Sequence, residues 1–361
     1  MTVNRRDLLT LLAAPLVPGT MPVIAAEGTS LGAVAAAVGI AFGSAFDREI
    51  FDDADYRKLI AGETRLVTAE NALKFDWLRP KGPDADFSTA DRIVEFTRHN
   101  DLLLRGTTLV WNDNPPPWLR RSSLTELRTL FDRHIDETLT RYRGRIHSWD
   151  VVNEPFYPPQ RQPGGYRQGP WYDAFGPSYI ERAFRRAASV DPTTRLVLNE
   201  AFCEQQDALG ISVRAGLIKL VERLKGEGVP LHAVGLQGHL KPALPFDDQV
   251  FVEFLTRLAG FGVDLYITEL DVDDSGMPDD INKRDLMVAN RYRDFLKAVL
   301  KVPAVKAVIT WQLSDRYSWY GELARRKHPP GRRPRPLPYD DELQRKPAAQ
   351  AMIDALLTRV K

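Results

Sequence analysis

The sequence has only one cysteine, Cys203, so no internal disulfide bond can form. It also lacks a long apolar run: the most apolar N-terminal stretch is broken by Pro15, Pro18 and Pro22 and is too short for a good membrane span. Excess charge is absent too, since the formal net charge is +1 over 361 residues. One basic stretch, residues 325–336, is interpreted as a solvated proline-rich loop. We therefore expect no membrane and no nucleic acid as a partner.

Motifs that would announce other chemistries are missing as well. There is no G-x-S-x-G, no H-E-x-x-H, no C-x-x-C and no phosphate-binding P-loop. The stretch "GIAFGSAFD" does not match the dinucleotide-binding pattern G-x-G-x-x-G. His239 has no second histidine at metal-ligand spacing, which disfavours a metal-dependent hydrolase. We expect neither a metal nor a cofactor.

Residues 1–26 differ in character from the rest of the chain. Arg5-Arg6, a moderately apolar run and the small residues Ala25 and Ala26 are typical of a twin-arginine export signal with a cleavage site. The alternative is a poorly ordered N-terminus with a chance arginine pair. Without residues 1–25, which hold two arginines and one aspartate, the chain is formally neutral. We predict an export signal over 1–26, one folded domain over 27–361, and a periplasmic or secreted protein.

Apolar stretches alternate with amphipathic ones along the chain. Strands are predicted over residues 37–46, 64–71, 102–112, 146–154, 195–200, 232–239, 263–270 and 307–315. Helices are predicted over residues 88–100, 122–144, 177–190, 210–228, 247–262, 281–301 and 348–360. Eight strands, seven of them followed by a predicted helix, indicate a single-domain α/β protein with a closed (β/α)8 TIM barrel. The alternative is an open doubly wound sheet, which would usually carry a glycine-rich turn after its first strand.

Polar and aromatic side chains follow seven of these strands in succession. They are Glu70, Asn71 and Lys74; Trp111 and Asn112; Asn153 and Glu154; Asn199 and Glu200; Gln237 and His239; Glu269 and Asp271; and Trp311, Asp315 and Trp319. The carboxyl ends of the strands form the active site of a TIM barrel. Any one of these residues could be a helix cap or a surface group, but seven strands in a row indicate a site.

Two of the strands end on a glutamate. The stretch "IHSWDVVNEPF" delivers Glu154, and "VDLYITELDVDD" delivers Glu269. A carboxylate at the tip of a buried strand is costly unless it is paired, solvated or used. Amides, carboxylates and tryptophan faces together describe a sugar site. Two glutamates in such a site suggest glycoside hydrolysis, with one acting as the protonated acid and the other as the nucleophile.

The strand-end motifs resemble those of glycoside hydrolase family 10, the endo-1,4-β-xylanases. The motifs are "TAENALKFDW", "RGTTLVW", "WDVVNEPF", "GLQGH", "ITELDV", "TWQLSDRYSW" and "PYDDELQRKPA". They occur in the family's order, from about Val38 to the C-terminus. The resemblance implies a catalytic barrel over residues 27–361 that cleaves a polysaccharide or oligosaccharide with retention, its two carboxyls about 5–5.5 Å apart. We expect a monomer.

The resemblance also implies a role for each matching residue. Glu154 resembles the acid/base and Glu269 the nucleophile. Asn153 would hold the 2-hydroxyl of the sugar being cleaved, His239 would hydrogen-bond the nucleophile, and Gln237 would sit beside the carboxyls. The residues that would grip sugars on the non-reducing side are Glu70, Asn71 and Lys74, and those that would wall the cleavage subsite are Trp111, Trp311 and Trp319.

Three positions depart from the family pattern. The family usually has a histidine where this chain has Thr107 and another where it has Asn112, and its Asn-Asp after strand 5 appears here as Asn199-Glu200. The first of those histidines normally contacts a hydroxyl of the sugar being cleaved, so that contact is expected to be lost or water-mediated. The leading hypothesis is an endo-β-1,4-xylanase. The alternatives are the same chemistry on another β-linked glycan, such as a bacterial exopolysaccharide, and a non-catalytic carbohydrate-binding barrel, against which the presence of both glutamates argues.

Overall fold

The computed structural model describes residues 29–321 and 331–359 of the chain. The export signal predicted over residues 1–26 lies outside the described residues. Within those two ranges, no helix is long and apolar enough to cross a membrane. The α-helices are α1 (Leu31–Ala37), α2 (Ala54–Glu63), α3 (Phe75–Leu78), α4 (Ser88–His99), α5 (Leu124–Tyr142), α6 (Pro170–Phe175), α7 (Tyr179–Val190), α8 (Ala208–Gly226), α9 (Asp248–Ala259), α10 (Ile281–Val299) and α11 (Pro347–Leu357).

The strands form a closed parallel barrel. They are β1 (Ala41–Phe46), β2 (Leu66–Ala69), β3 (Leu103–Trp111), β4 (Ser148–Asn153), β5 (Arg195–Glu200), β6 (Ala233–Leu236), β7 (His239–Leu240), β8 (Asp264–Val272) and β9 (Val305–Thr310). The order β1-β2-β3-β4-β5-β6-β8-β9 closes because β9 pairs with β1 and β6 pairs with β8. The two-residue β7 pairs with the end of β8. The predicted TIM barrel is confirmed, and the open doubly wound sheet is excluded.

The first predicted strand began too early. Residues 31–37 form α1, which Ser30 caps by accepting a hydrogen bond from the Ala33 N–H at 3.1 Å, and β1 starts only at Ala41. A short alanine- and valine-rich run fits a helix or a strand equally well, so its periodicity does not decide between them. The sequence prediction missed α1, α2 and two very short helices, α3 and α6, of four and six residues.

The barrel interior is packed with side chains. Its apolar cluster consists of Leu66, Val197, Ala233, Tyr266, Ala307 and Ile309. A larger apolar core surrounds the strands and contacts the helices. Because the interior is filled, a ligand has room only above it, at the ends of the strands.

A buried ion pair lies beside this interior cluster. Arg105 on β3 donates to the carboxylate of Asp150 on β4, and its guanidinium lies 5.6 Å from the centroid of the Tyr266 ring. Burial raises the pKa of Asp150 to about 6, although the Arg105 guanidinium and a hydrogen bond from the Thr107 hydroxyl act in the opposite direction. The Thr107 hydroxyl is therefore directed at Asp150, just below the strand ends.

Over its described part, residues 331–336, the basic stretch is an irregular loop as predicted, but it is only partly solvated, because Arg333 is 80% exposed whereas Pro336 is buried. Arg335 makes two hydrogen bonds of 2.8 Å to the Asp285 carboxylate, and Arg332 donates to Asp279 at 3.0 Å. These side chains pack against acidic partners on and before α10. Their charges are neutralised locally by these carboxylates.

Candidate active site

A cavity of about 330 Å³ opens at the carboxyl ends of the strands. The predicted site residues that line it are Lys74, Thr107, Trp111, Asn153, Glu154, Gln237, His239, Glu269, Trp311 and Trp319. The predicted Glu70 and Asn71 stand beside Lys74 and do not line the cavity directly. The cavity wall also contains Asp113, Ala201, Phe202, Gln205, Lys241, Asp273 and Tyr320. In the part of the chain that the structure describes, no group of three or more histidine, cysteine, aspartate or glutamate side chains is arranged to hold a metal ion.

Glu154 reaches the cavity from a distorted strand end. The register of β4 against β5 shifts between Asp150 and Val152, and Glu154 itself has a φ of 48°, in the left-handed region. Such a conformation is uncommon outside glycine and is typical of functional sites. The carboxylate is 14% exposed and accepts hydrogen bonds from Gln237 Nε2 at 2.9 Å and from Arg167 Nη2 at 2.8 Å. Its position is therefore fixed from two sides.

Glu269 lies inside strand β8 rather than at its tip, because pairing with β7 prolongs the strand to Val272. Its buried carboxylate accepts a hydrogen bond from Asn199 Nδ2 at 2.8 Å and lies 3.2 Å from His239 Nε2. His239 Nδ1 lies 2.9 Å from Asp271 Oδ1. Burial alone would lower the pKa of His239, but the Asp271 and Glu269 carboxylates outweigh it and hold that pKa well above its ordinary value. The imidazolium therefore donates to both carboxylates.

Side-chain amides join the two glutamates into one network. Asn199 Nδ2 donates to Glu269 and also to Asn153 Oδ1 at 2.9 Å. Gln237 Nε2 donates to Glu154 and, at 3.4 Å, to the same Asn153 oxygen. The two carboxylates are thus held in a fixed mutual arrangement at one cavity. Asn199 carries much of this arrangement, although the sequence indicated it only as one strand-end residue among many.

Aromatic side chains wall the opposite part of the cavity. Lys74 Nζ lies 5.5 Å from the centroid of the Trp111 ring and 5.6 Å from that of Trp311, and it donates to Asn71 Oδ1 at 3.0 Å. Trp319 Nε1 donates to Asp271 Oδ2 at 2.8 Å. The Trp319 indole is therefore tied to Asp271, which also holds His239 beside Glu269. Flat apolar faces beside hydrogen-bonding groups suit a sugar ring.

An acidic cluster borders Lys74. Gln312 Nε2 donates both to Glu70 and, at 3.0 Å, to Glu49. Burial raises the pKa of Glu70 to about 7, against the opposing effects of Lys74 and Gln312. Burial and the nearby Glu49 raise the pKa of Asp47 to about 6. Glu70 and Asp47 therefore hold protons at a pH where ordinary carboxyls have lost them.

The raised pKa of Glu70 makes the stability of the protein depend on pH. Glu70→Gln should reduce this pH dependence. The pKa of Glu70 is higher in the folded state, so the folded protein binds more protons between about pH 4.5 and pH 7 and its free energy of unfolding falls as the pH rises through that window. The glutamine can still accept the Gln312 hydrogen bond but carries no charge. Thermal unfolding should give the same midpoint for the wild type and the variant at pH 4.5. At pH 8 the variant should be more stable than the wild type by about 1–2 kcal/mol. A difference that does not change with pH would contradict this interpretation.

Three strand-end residues from the sequence prediction are structural. Asn112 Oδ1 accepts the Trp171 and Tyr172 N–H groups at 2.9 and 3.2 Å at the start of α6. The Glu200 carboxylate accepts backbone N–H groups of the segments that follow β4 and β5, and Asp315 pairs with Lys346 at 2.8 Å. Asn112 therefore fulfils the helix-cap alternative, whereas Glu200 and Asp315 are buried groups that hold neighbouring segments together.

Arg167 is the main contact that sequence reasoning missed. It lies in the loop between β4 and α6, where it donates to the Glu154 carboxylate, to the Glu154 carbonyl at 3.0 Å and to Asp113 Oδ2 at 2.7 Å. No motif marks it, because an arginine 13 residues beyond Glu154 in an irregular loop has no periodic pattern. Only the folded loop brings it to the carboxylate.

Comparison with known proteins points in one direction. The sequence profile described as glycosyl hydrolase family 10 matches residues 30–355. The endo-1,4-beta-xylanase of Agaricus bisporus is 32% identical over 324 residues, which cover 87% of this chain and 90% of that protein. The beta-1,4-xylanase of Dictyoglomus thermophilum is 32% identical over 276 residues, which cover 73% of this chain and 75% of that protein.

Two solved structures extend the comparison to the fold. The native xylanase 10B from Thermotoga maritima superposes with a TM-score of 0.79 at 30% identity, covering 91% of this chain and 98% of that one. The xylanase 10B from Thermotoga petrophila, solved in complex with xylobiose, gives a TM-score of 0.81 at 28% identity and covers 94% and 98%.

Proposed function

Since the chain belongs to glycosyl hydrolase family 10, we propose that it cleaves internal β-1,4-xylosidic bonds of xylan and xylo-oligosaccharides by double displacement. The observation that carries the proposal is the arrangement of Glu154 and Glu269, which face one cavity and are joined through amide hydrogen bonds. The names of the xylanase relatives support xylan as the substrate class.

In the first step Glu269 attacks the anomeric carbon while Glu154 gives its proton to the glycosidic oxygen. The bond between that carbon and oxygen breaks, the leaving sugar departs with the proton, and a glycosyl ester of Glu269 remains. In the second step Glu154 takes a proton from water, the water oxygen attacks the anomeric carbon, and Glu269 is released. The hydrogen bonds from Asn199 and His239 orient the Glu269 carboxylate for both steps.

The remaining polar and aromatic residues bind the sugars. Asn153 binds the 2-hydroxyl of the sugar being cleaved, a contact that strengthens in the transition state; its hydrogen bonds with Asn199 and Gln237 support this role. Trp111, Trp311 and Trp319 wall the subsite that holds this sugar. The groups that bind the sugars on the non-reducing side are Glu70, Asn71 and Lys74.

A screen of the purified protein on xylan, glucan, mannan and a bacterial β-linked exopolysaccharide tests the proposal. Reducing ends should appear with xylan and not with glucan or mannan. Release from the exopolysaccharide alone would establish the second candidate, the same chemistry on a different glycan. No release from any glycan would favour a binding barrel.

The second candidate is favoured by one observation, the identity of residue 107. Thr107 lines the cavity, but its hydroxyl is directed at Asp150 and its side chain is short. The space beside it is open to a modified or differently oriented sugar, and one polar contact to an unmodified sugar is missing. Asn112 does not fill this space, because it caps α6.

Thr107→His should raise kcat/KM on xylotetraose by about 10-fold or more. The new imidazole supplies a hydrogen bond of the kind that contributes about 1.5–3 kcal/mol in a transition state. Thr107→Val, which has a similar volume but no hydrogen-bonding group, should give no gain. Wild-type activity at the level of other xylanases, with no gain in the histidine variant, would contradict this account of residue 107.

We further propose that residues 1–26 direct export through the twin-arginine route and that residues 27–361 are the mature catalytic domain. The arginine pair Arg5-Arg6 and the small residues near Ala25 support the proposal. Replacing both arginines with lysine should keep the protein in the cytoplasm, and unchanged export would overturn the proposal.

A further inference from the structure

The residue that follows Trp311 has an unfavourable backbone conformation. Gln312 lies two residues beyond the end of β9 and has a φ of 72°, in the left-handed region. Glycine enters this region readily, whereas a residue with a long side chain stays there only where the surrounding structure enforces it. The reason for this conformation must therefore lie in what the Gln312 side chain contacts.

The Gln312 side chain joins four segments at the strand ends. The residue is only 2% exposed. Its Oε1 accepts the Tyr56 hydroxyl at 2.6 Å, and the Tyr56 oxygen in turn accepts the Leu313 N–H at 3.1 Å. Its Nε2 donates to Glu70 Oε2 and, at 3.0 Å, to Glu49 Oε1. One amide thus connects α2, the end of β2 and the segments that follow β1 and β9.

The Glu70 carboxyl is fixed through one of its two oxygens. Gln312 donates to Oε2, and among the described residues no group donates a hydrogen bond to Oε1. Burial raises the pKa of Glu70 to about 7, and the charge of Lys74, which lines the cavity, acts in the opposite direction. The carboxyl therefore lies close to a cavity residue and has one oxygen left for a ligand.

The contacts of Gln312 require an uncharged amide of this length. Glu49 and Glu70 present acceptor oxygens to its nitrogen, and Tyr56 presents a donor to its oxygen. A carboxylate in this place would face two groups of like charge. Asparagine is one methylene shorter and would not span the hydroxyl and both carboxyls. Glutamine satisfies all three partners at once, at the expense of a strained backbone.

We propose that Gln312 is a positioning residue that fixes the Glu70 carboxyl for the sugar next to the one being cleaved, on its non-reducing side. The strained backbone is retained because it lets the amide reach all three of its partners. The proposal rests on the proposed function, which assigns Glu70 to the sugars on that side. It makes Gln312 a specificity-determining residue that favours substrates with two sugars before the cleaved bond over substrates with one, although Gln312 itself touches no sugar.

Two substrates with the same leaving group isolate this effect. Dinitrophenyl β-xyloside has one sugar before the cleaved bond and dinitrophenyl β-xylobioside has two, so the ratio of their kcat/KM values measures the contribution of the second sugar. Gln312→Gly fits the left-handed backbone and removes the amide. The ratio of xylobioside to xyloside should fall about 10-fold, because a carboxyl that is free to turn loses most of its hydrogen bond to the sugar.

Two further variants separate positioning from a structural role. Gln312→Asn also suits the backbone but is too short for all three contacts, so the ratio should fall as it does in the glycine variant. Glu70→Ala should lower the ratio as well. Adding Gln312→Gly to Glu70→Ala should lower it no further, because the glutamine acts through that carboxyl.

An unchanged ratio in the Gln312 variants, or an equal loss on both glycosides, would overturn the proposal. A further fall of the ratio in the double variant would overturn it too, as would a wild type that uses both glycosides equally well. If Gln312→Gly does not fold, Gln312→Asn decides by the same comparison. If the wild type hydrolyses neither glycoside, the proposed function itself has failed, and that result differs from an active enzyme with an unchanged ratio.

Discussion

Glu269→Ala is expected to lower the turnover of xylotetraose by a factor on the order of 10⁴ or more, close to the limit of detection. The variant removes the oxygen that forms the bond to the anomeric carbon, and among the described residues no other carboxylate is held by both Asn199 and His239. The fold should persist, because His239 keeps its contact with Asp271 at 2.9 Å. Steady-state kinetics with a circular dichroism spectrum of each variant makes the measurement.

Two controls sharpen this test. Glu253→Ala removes an exposed glutamate on α9, far from the cavity, and should retain wild-type rates. Added azide should partly restore Glu269→Ala on β-xylobiosyl fluoride and yield the α-glycosyl azide, because the small anion attacks from the face that the carboxylate has vacated. In the wild type, a mechanism-based fluoro-sugar should label Glu269. A label on any other residue would refute the assignment of the nucleophile.

Glu154→Ala is expected to separate substrates by their leaving groups. Xylotetraose needs a proton on its departing oxygen and should lose about 10²–10⁴-fold in the bond-breaking step, the usual contribution of a general acid. Dinitrophenyl β-xylobioside scarcely needs that proton, so its bond-breaking step should be far less affected. Burst kinetics should then show an accumulated glycosyl-enzyme, because the second step has lost its base.

The matched variant Glu154→Gln keeps the side-chain volume and an oxygen that can accept from Gln237 or Arg167. It should show the same dependence on the leaving group, since a glutamine cannot transfer the proton. Azide should accelerate both variants and give the β-glycosyl azide, formed on the opposite face from the Glu269 product. Equal losses on both substrate types would show that Glu154 is structural.

The order of strands and helices could be predicted from the sequence because the apolar patterns that indicate them are long and periodic. Seven predicted helices and eight strands occur in the predicted order, and β5 begins and ends at the predicted residues 195 and 200. Parallel strands of a closed barrel direct their carboxyl ends to one face. The order alone therefore gathered Glu154, Glu269 and their neighbours at one cavity.

The sequence could not separate cavity residues from structural ones. Asn112 and Asp315 follow strands as the cavity residues do, but they bind α6 and Lys346 through contacts that only the folded loops create. Arg167 and the backbone conformation of Gln312 belong to irregular segments, where no period guides a prediction. The sequence analysis put Glu269 at a strand tip. In the structure β8 continues to Val272 because it pairs with β7, and β7 has only two residues, too few to be predicted as a strand.

The most direct test of the central claim is a time-resolved proton NMR spectrum of xylotetraose cleavage. Double displacement by Glu269 and Glu154 predicts that the new reducing ends appear first as the β-anomer and reach the α/β equilibrium only afterwards through mutarotation. Initial formation of the α-anomer would show a single displacement by water and would contradict the assignment of Glu269 as the nucleophile.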